Sequence, residues 1–295
     1  MKLTRRELLA LIPFGLHAAT LSQVRLAVIS DEIDEDLAKD IEFLRDFGVK
    51  NVEIRSIWGA YNTSQPLEKI REARKLLDAA GMRTSVLATA FFRGPLPPDA
   101  VALQKEWTLL NDAMDRAEIL GVDTLRTFAF MAPKDGKPKD TDYGRIHELL
   151  REAASRAKAR KIRLAIENLA GSYVAAGADS AKILKAVQND SLGLTWDPNN
   201  AAQVGEKPFP DGYNLLDPAR IFNVHLRDYR RLPDGKFEWT AVGDGEADNL
   251  GQIRALLKAN YKGPFTLETH YRSPQGKAFA TKTSLTGLLK VIEKV

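Results

Sequence analysis

The chain contains no cysteine. That excludes thiolate nucleophiles, zinc–thiolate centres and disulfide frameworks, while leaving the compartment open. Histidine is almost as scarce, with only His17, His147, His225 and His270. So small and scattered a set does not suit a histidine-rich zinc cluster. There is no basic block either. Lysine and arginine are interleaved with acids, and the net charge is only +4 over 295 residues. No nucleic acid partner is therefore expected. The one sustained apolar stretch, Leu8 to Leu21, falls short of the roughly 20 residues that cross a bilayer, so no stable membrane span is expected. The first strand candidate is followed by Ser30-Asp31-Glu32 rather than a glycine-rich fingerprint, which argues against a dinucleotide-binding open sheet.

What is present is ordinary in composition and orderly in pattern. Hydrophobic residues make up 44% and charged residues 28%, enough apolar material for one large core. The first residues read differently from the rest. Thr4-Arg5-Arg6-Glu7-Leu8-Leu9 resembles a twin-arginine export motif, and Ala18-Ala19-Thr20 supplies small residues after the apolar stretch. Residues 1–22 are thus expected to form a twin-arginine signal peptide that sends the protein to the periplasm, with the mature chain starting near Gln23. The competing reading is an amphipathic helix packed on the domain floor of a cytoplasmic protein.

From Val24 onward strand and helix patterns alternate. Strands are predicted at Arg25–Ser30, Asn51–Ser56, Arg83–Ala88, Thr124–Ala129, Ile162–Glu167, Gly193–Asp197, Phe222–Leu226 and Phe265–Thr269. Helices are predicted at Asp34–Phe47, Leu67–Ala80, Asp99–Leu120, Asp142–Ala159, Asp179–Val187, Leu250–Asn260 and Lys277–Glu293, where apolar residues recur every three to four positions. Gly48, Gly81 and Gly121 stand where helices should stop. Eight such units predict an α/β fold, a single (β/α)8 TIM barrel over residues 23–295. Three loops, Pro133–Asp140, Gln203–Pro218 and Arg230–Asn249, fall on the side of the barrel where that fold keeps its chemistry.

Four of the predicted strands end on residues that bind metals. Glu167, Asp197, His225 and Glu268 close strands five to eight, separated by roughly thirty to forty residues, room for one helix and one new strand. Taken singly, a strand-end acid commonly caps a helix or pairs with an arginine. Together, three carboxylates and one imidazole at one mouth repel each other unless a cation joins them. The oxygen-rich donor set suits one divalent metal ion, Mn2+, Mg2+ or Co2+, and is also compatible with Zn2+.

These residues carry a resemblance. Glu167-Asn168-Leu169-Ala170-Gly171, Asp197, the His225-Leu226-Arg227-Asp228 phrase, Glu268 and the Gly243-Asp244-Gly245 turn are similar to the xylose isomerase-like barrel superfamily. The likeness is greatest to its sugar phosphate isomerase/epimerase branch, which includes the ketose 3-epimerases. It implies that Glu167, Asp197, His225 and Glu268 ligate the metal and that Glu167 and Glu268 serve as the catalytic acid/base pair. It further implies a small-molecule carbohydrate substrate, and proton transfer next to a carbonyl through an enediolate. Two other readings stay open: a dehydratase or lyase on a keto-sugar, keto-glycoside or cyclitol, and a noncatalytic carbohydrate-binding barrel. The chain departs from many relatives at Asn200, where they carry a substrate-binding histidine. The few histidines also set it apart from the three-zinc endonuclease IV branch. Asn200, Arg227, Arg231 and His270 are weaker substrate-binding candidates. Glu53, Arg55 and Arg126 read as an ion network inside the barrel. Trp58, Phe91, Phe92 and Trp239 fall in loops, where aromatic rings either stack on a sugar or cover the rim. Monomer and homo-oligomer are both compatible with the sequence.

Overall fold

A computed structural model of the chain describes residues 23–133 and 138–295. The twin-arginine segment falls outside the described residues, as does part of the loop after the fourth strand. Eight parallel strands close into a barrel: β1 Leu26–Ile29, β2 Asn51–Ile54, β3 Arg83–Ala88, β4 Thr124–Thr127, β5 Arg163–Glu167, β6 Leu192–Trp196, β7 Ile221–Leu226 and β8 Phe265–Leu267. Neighbours in the barrel are neighbours in sequence, and β1 closes the ring by pairing with β8. The TIM barrel expected from eight alternating units is therefore the observed fold. β6 and β7 are buried at every position, as strands covered on both faces must be.

Around the barrel run α1 Leu37–Asp46, α2 Leu67–Ala79, α3 Ala100–Leu120, α4 Tyr143–Ala159, α5 Gly177–Ala186, α6 Pro198–Gln203, α7 Asn249–Lys258 and α8 Lys277–Ile292. α3 stops at Gly121, whose left-handed φ of 68° is cheap only for glycine. α1 starts three residues later than the apolar spacing suggests. A 3-10 turn at Ser30–Glu32 intervenes, and the Asp36 carboxylate caps the helix by accepting from the Ala38 amide.

The βα connections differ most from expectation. α6, which no apolar periodicity marks, is nucleated locally: Pro198 occupies its first turn, and the Asp197 carboxylate accepts from the Asn199 and Asn200 amides. The connection after β7 is largely a hairpin pairing Asp228–Arg231 with Phe237–Thr240. A second small hairpin, Ser56–Ile57 with Ala60–Tyr61, follows β2. Among the described residues no helix is long and apolar enough to cross a membrane.

One buried acid in the helical shell has a thermodynamic signature. Asp40, on α1, is fully buried and accepts from the Asp34 amide at 3.0 Å, while its other oxygen has no hydrogen-bond partner. Burial pushes its carboxyl up to about 8. The folded protein then keeps a proton that the unfolded chain releases, so Asp40 makes stability fall as pH rises from about 4 to about 8. Asp40→Asn removes that titration. Its melting temperature relative to the parent should climb between pH 5 and pH 8 in scanning calorimetry; parallel curves would refute the assignment.

Candidate metal centre and active site

The barrel mouth gathers the four strand-end residues. Glu167 is the last residue of β5, Asp197 follows β6, His225 lies one short of the end of β7, and Glu268 follows β8. All four are buried, and one donor atom from each lies within 4.8 Å of every other. Register explains the convergence. β7 pairs with β8 so that His225 stands opposite Thr266, and the Glu268 amide donates to the Leu226 carbonyl at 3.0 Å.

Each of the two glutamates divides its oxygens between two tasks. Glu167 Oε2 pairs with Arg126 at 2.7 Å, while Oε1 lies 3.3 Å from Asn200 Nδ2 and 3.8 Å from His225 Nδ1. Glu268 Oε1 pairs with Arg55 at 3.0 Å, while Oε2 lies 3.4 Å from His225 Nδ1. The other imidazole nitrogen, Nε2, is 3.2 Å from Glu53, which also accepts from Asn223 at 2.9 Å. That carboxylate fixes the ring so that Nδ1 faces the acids.

His225 Nδ1 and Glu268 Oε2 are buried with no hydrogen-bond partner. Two unsatisfied donor atoms facing one another, with two more carboxylates in reach, fit a divalent cation. Glu167, Asp197, His225 and Glu268 are the residues that would hold it. A second grouping, Glu32, Glu268 and His270, also lies within ligand distance. There Arg55 already supplies the cation, 2.6 Å from Glu32 and 3.0 Å from Glu268. Arginines pair with members of the four-residue set too, but only that set brings the unpartnered His225 Nδ1 to the unpartnered Glu268 Oε2, and it is the better metal candidate.

The charges are strongly coupled to these arginines. Burial alone would raise Glu167, but Arg126 overrides it and holds the carboxyl down to about 2. Burial is likewise overcome at Glu268, where Arg227, His270 and His225 hold the carboxyl well below the usual range. At Asp197 burial wins over Arg227 and the carboxyl is raised. Burial disfavours a charged His225 ring, yet Glu53 and Glu268 outweigh it and push the imidazole well up.

The weaker candidates separate. Asn200 is buried and donates to Glu167, to Asp197 at 3.2 Å and to the Asn168 carbonyl at 2.8 Å. Arg227 forms a close ion pair with Asp197, donates to Asn200 at 2.8 Å and lies 3.6 Å from Glu268. His270 Nε2 lies 3.5 Å from Glu268 and its side chain is 35% exposed. Arg231 is not brought to the cluster. It is exposed on the hairpin and donates to the Ala202 carbonyl at 3.1 Å.

Of the ion-network residues, Glu53 and Arg126 sit inside the barrel, whereas Arg55 spans from Asp31 and Glu32 to Glu268 at the rim. Phe91 and Phe92 are buried against each other at 3.8 Å and belong to the core, so neither presents a ring to a ligand. Lys69 covers the ring of Trp58 at 4.8 Å. Trp239 does reach the mouth, with Arg227 over its ring at 4.6 Å and His270 edge-on at 5.1 Å.

Tyr61 carried no signal in the sequence, whereas Asn168 and Asp228 stand in the motif phrases but their contacts are long-range. Asn168 braces Asp197 at both backbone groups, donating to its carbonyl and accepting from its amide, each at 2.8 Å. Tyr61, on the small hairpin, accepts from Arg126 at 2.9 Å. Asp228 accepts from the amides of Gly243, Gly245 and Ala247 at 2.9, 3.2 and 2.9 Å. The His-Leu-x-Asp phrase and the Gly-x-Gly turn are thus one device that ties the hairpin to β7. A Cβ at Gly245 would sit 2.2 Å from the Asp228 carboxylate, which is why glycine stands there.

The chain belongs to the xylose isomerase-like TIM barrel family, whose model matches residues 41–290. The solved structure of the IolI protein with a bound zinc atom superimposes with a TM-score of 0.75 at 19% identity, over 91% of this chain and 98% of that one. The D-allulose 3-epimerase of a Methylomonas species, in complex with D-allulose, gives a TM-score of 0.74 at 16% identity, over 92% and 97%. At these identities the likeness is one of fold. In sequence, the mannonate dehydratase of Saccharophagus degradans is 36% identical over 84 residues, which cover 28% of this chain and only 21% of that enzyme.

Proposed function

We propose that the protein is a divalent-metal-dependent sugar isomerase or epimerase, with Glu167 and Glu268 moving a proton at the carbon next to a carbonyl. The observation that carries this reading is the divided use of each glutamate. One oxygen is clamped by an arginine, while the other turns toward His225 Nδ1. A divalent ion held by Glu167, Asp197, His225 and Glu268 would supply Lewis-acid polarisation of the carbonyl.

The two carboxylates are not equivalent. Glu268 Oε1 lies 3.5 Å from His270, which is partly exposed and can pass a proton on to solvent. Glu167 pairs instead with buried Arg126, and among the described residues no partly exposed histidine contacts it. Glu268 is accordingly the exchanging base, and Glu167 the sheltered group on the other side of the site. Proton return to the opposite face gives epimerisation, and return to the adjacent carbon gives isomerisation. Dehydration through the same enediolate is the second reading, favoured by the segment shared with mannonate dehydratase.

Metal titration with elemental analysis tests the centre. The protein should take up about one equivalent of Mn2+, Co2+ or Zn2+, and His225→Ala should weaken uptake by at least about tenfold. Incubation of the loaded protein with ketoses in deuterium oxide should then label the carbon next to the carbonyl. Metal uptake without label in any ketose would favour the noncatalytic reading, and no uptake would overturn the proposal.

A further inference from the structure

Arg227 is a buried cation beside the candidate ligands to which the proposed reaction gives no task. It is 3% exposed and has partners on two sides. On the inner side Nη2 forms the close ion pair with Asp197 Oδ2 and donates to Asn200 Oδ1 at 2.8 Å, while Nη1 lies 3.6 Å from Glu268 Oε2. On the outer side Nη1 lies 2.6 Å from His270 Nδ1, and the guanidinium lies over the Trp239 ring at 4.6 Å. His270 and Trp239 in turn line a cavity of about 480 Å3, within the range of small-molecule sites. None of the four candidate ligands is part of that lining. Arg227 thus stands between the cavity wall and the acids.

Asp197 is the crowded member of the four. A carboxylate offers about four lone-pair positions. Oδ1 accepts from the Asn199 and Asn200 amides at 2.8 and 2.9 Å, and Oδ2 accepts from Arg227 and from Asn200 Nδ2 at 3.2 Å. A cation that uses Asp197 has to replace one of these donors. The two amides are fixed in the first turn of α6. Asn200 Nδ2 is neutral, so a cation does not repel it as it does a guanidinium. Arg227 carries a full positive charge against Asp197 and near Glu268, two of the carboxylates that a dication would occupy, and like charges at that range repel strongly. Its inner placement is also incomplete, because its Nε is buried with no hydrogen-bond partner. The Trp239 face and His270 already offer the guanidinium a second set of contacts.

We infer that Arg227 and the divalent ion compete for Asp197 Oδ2, and that the guanidinium withdraws onto the Trp239–His270 wall when the ion takes that oxygen. The inference rests on the metal-dependent reading of the centre. Arg227 therefore holds down the affinity for the ion, and loading the ion rearranges the wall that a molecule in the cavity meets. An arginine that merely orients Asp197 would do the opposite on both counts: it would strengthen metal binding and stay in place.

The test is calorimetric titration of the full-length protein with Zn2+, a closed-shell ion, with tryptophan emission followed on the same samples. In the parent, uptake should change the emission of Trp239. Trp239→Phe should still take up the ion but lose that change, which separates it from any response of Trp196 beside Asp197. Arg227→Met should bind Zn2+ about tenfold more tightly and lose the Trp239 change as well. The variant should fold, since Asp197 keeps three donors and Glu268 keeps Arg55. A gain in affinity follows from the lost charge wherever the guanidinium sits, so the emission change decides whether it moves, and the parent titration decides this without the variant. Zn2+ uptake with a silent Trp239, an emission change that survives Arg227→Met, or weaker binding by Arg227→Met would overturn the inference and leave the metal centre standing. No uptake by the parent would overturn both.

Discussion

Glu268→Gln should lower turnover by about 100-fold to 10,000-fold, the range lost when a positioned acid or base is removed. An amide cannot accept the proton that Glu268 is assigned to remove. It also disturbs the site, because the NH2 group would face either Arg55, itself a donor, or the metal-binding side, where an amide nitrogen cannot replace a carboxylate oxygen as ligand. The fold should tolerate the change. Arg55 keeps Asp31 and Glu32 as partners at 3.0 and 2.6 Å. Loss of label uptake in deuterium oxide should therefore far exceed any fall in melting temperature. His270→Gln provides the companion measurement. If His270 carries the proton to solvent, label incorporation should fall more than net turnover, because the abstracted proton is returned before it exchanges. Full turnover in Glu268→Gln would remove the acid/base pair from the proposal, whatever the metal content.

Much of this was readable in the chain, and the limits of that reading follow from range. The strands and most helices rest on local apolar periodicity and stop signals, which is why the eight strands and the closed barrel could be anticipated. The four strand-end residues were legible because strand direction in a parallel barrel sends every strand end to the same mouth. What a linear reading could not supply is register across the barrel. Glu53 and His225 meet over 172 positions of sequence, and Asn223 reaches Glu53 over 170. Neither contact follows from the spacing within a strand. Arg231 shows the opposite error. Its position shortly after β7 suggested the mouth, but pairing of Arg231 with Phe237 turns that stretch into an exposed hairpin. The alternation Phe237, Trp239 was the available hint of a strand there. α6 escaped for a different reason. Its start is set by one proline and one capping aspartate rather than by an apolar stripe, and that aspartate also carries the metal-ligand pattern, which masks its capping role in the sequence.

Arg126→Met should be among the most destabilising single changes in the barrel, costing about 3–5 kcal/mol in denaturant unfolding. Arg126 is 4% exposed, pairs with Glu167 at 2.7 Å, donates to Tyr61 at 2.9 Å and lies over the Phe128 ring at 4.7 Å. Methionine replaces the stem but leaves Glu167 and nearby Glu53 buried without their cation. If uncompensated charge is the cause, two further results follow. Adding Glu167→Gln should recover part of the loss, because the double variant buries one charge fewer. Added Mn2+ should also raise the melting temperature of Arg126→Met by more than that of the parent. A site with excess negative charge binds a divalent cation more tightly, and binding to the folded state stabilises it by mass action. A loss that neither Glu167→Gln nor Mn2+ alters would mean that Arg126 acts through packing alone. Recovery by both would show that Arg126 and the divalent ion balance the same carboxylates. The barrel could then fold before the metal arrives, with Arg126 holding Glu167 in place until it does.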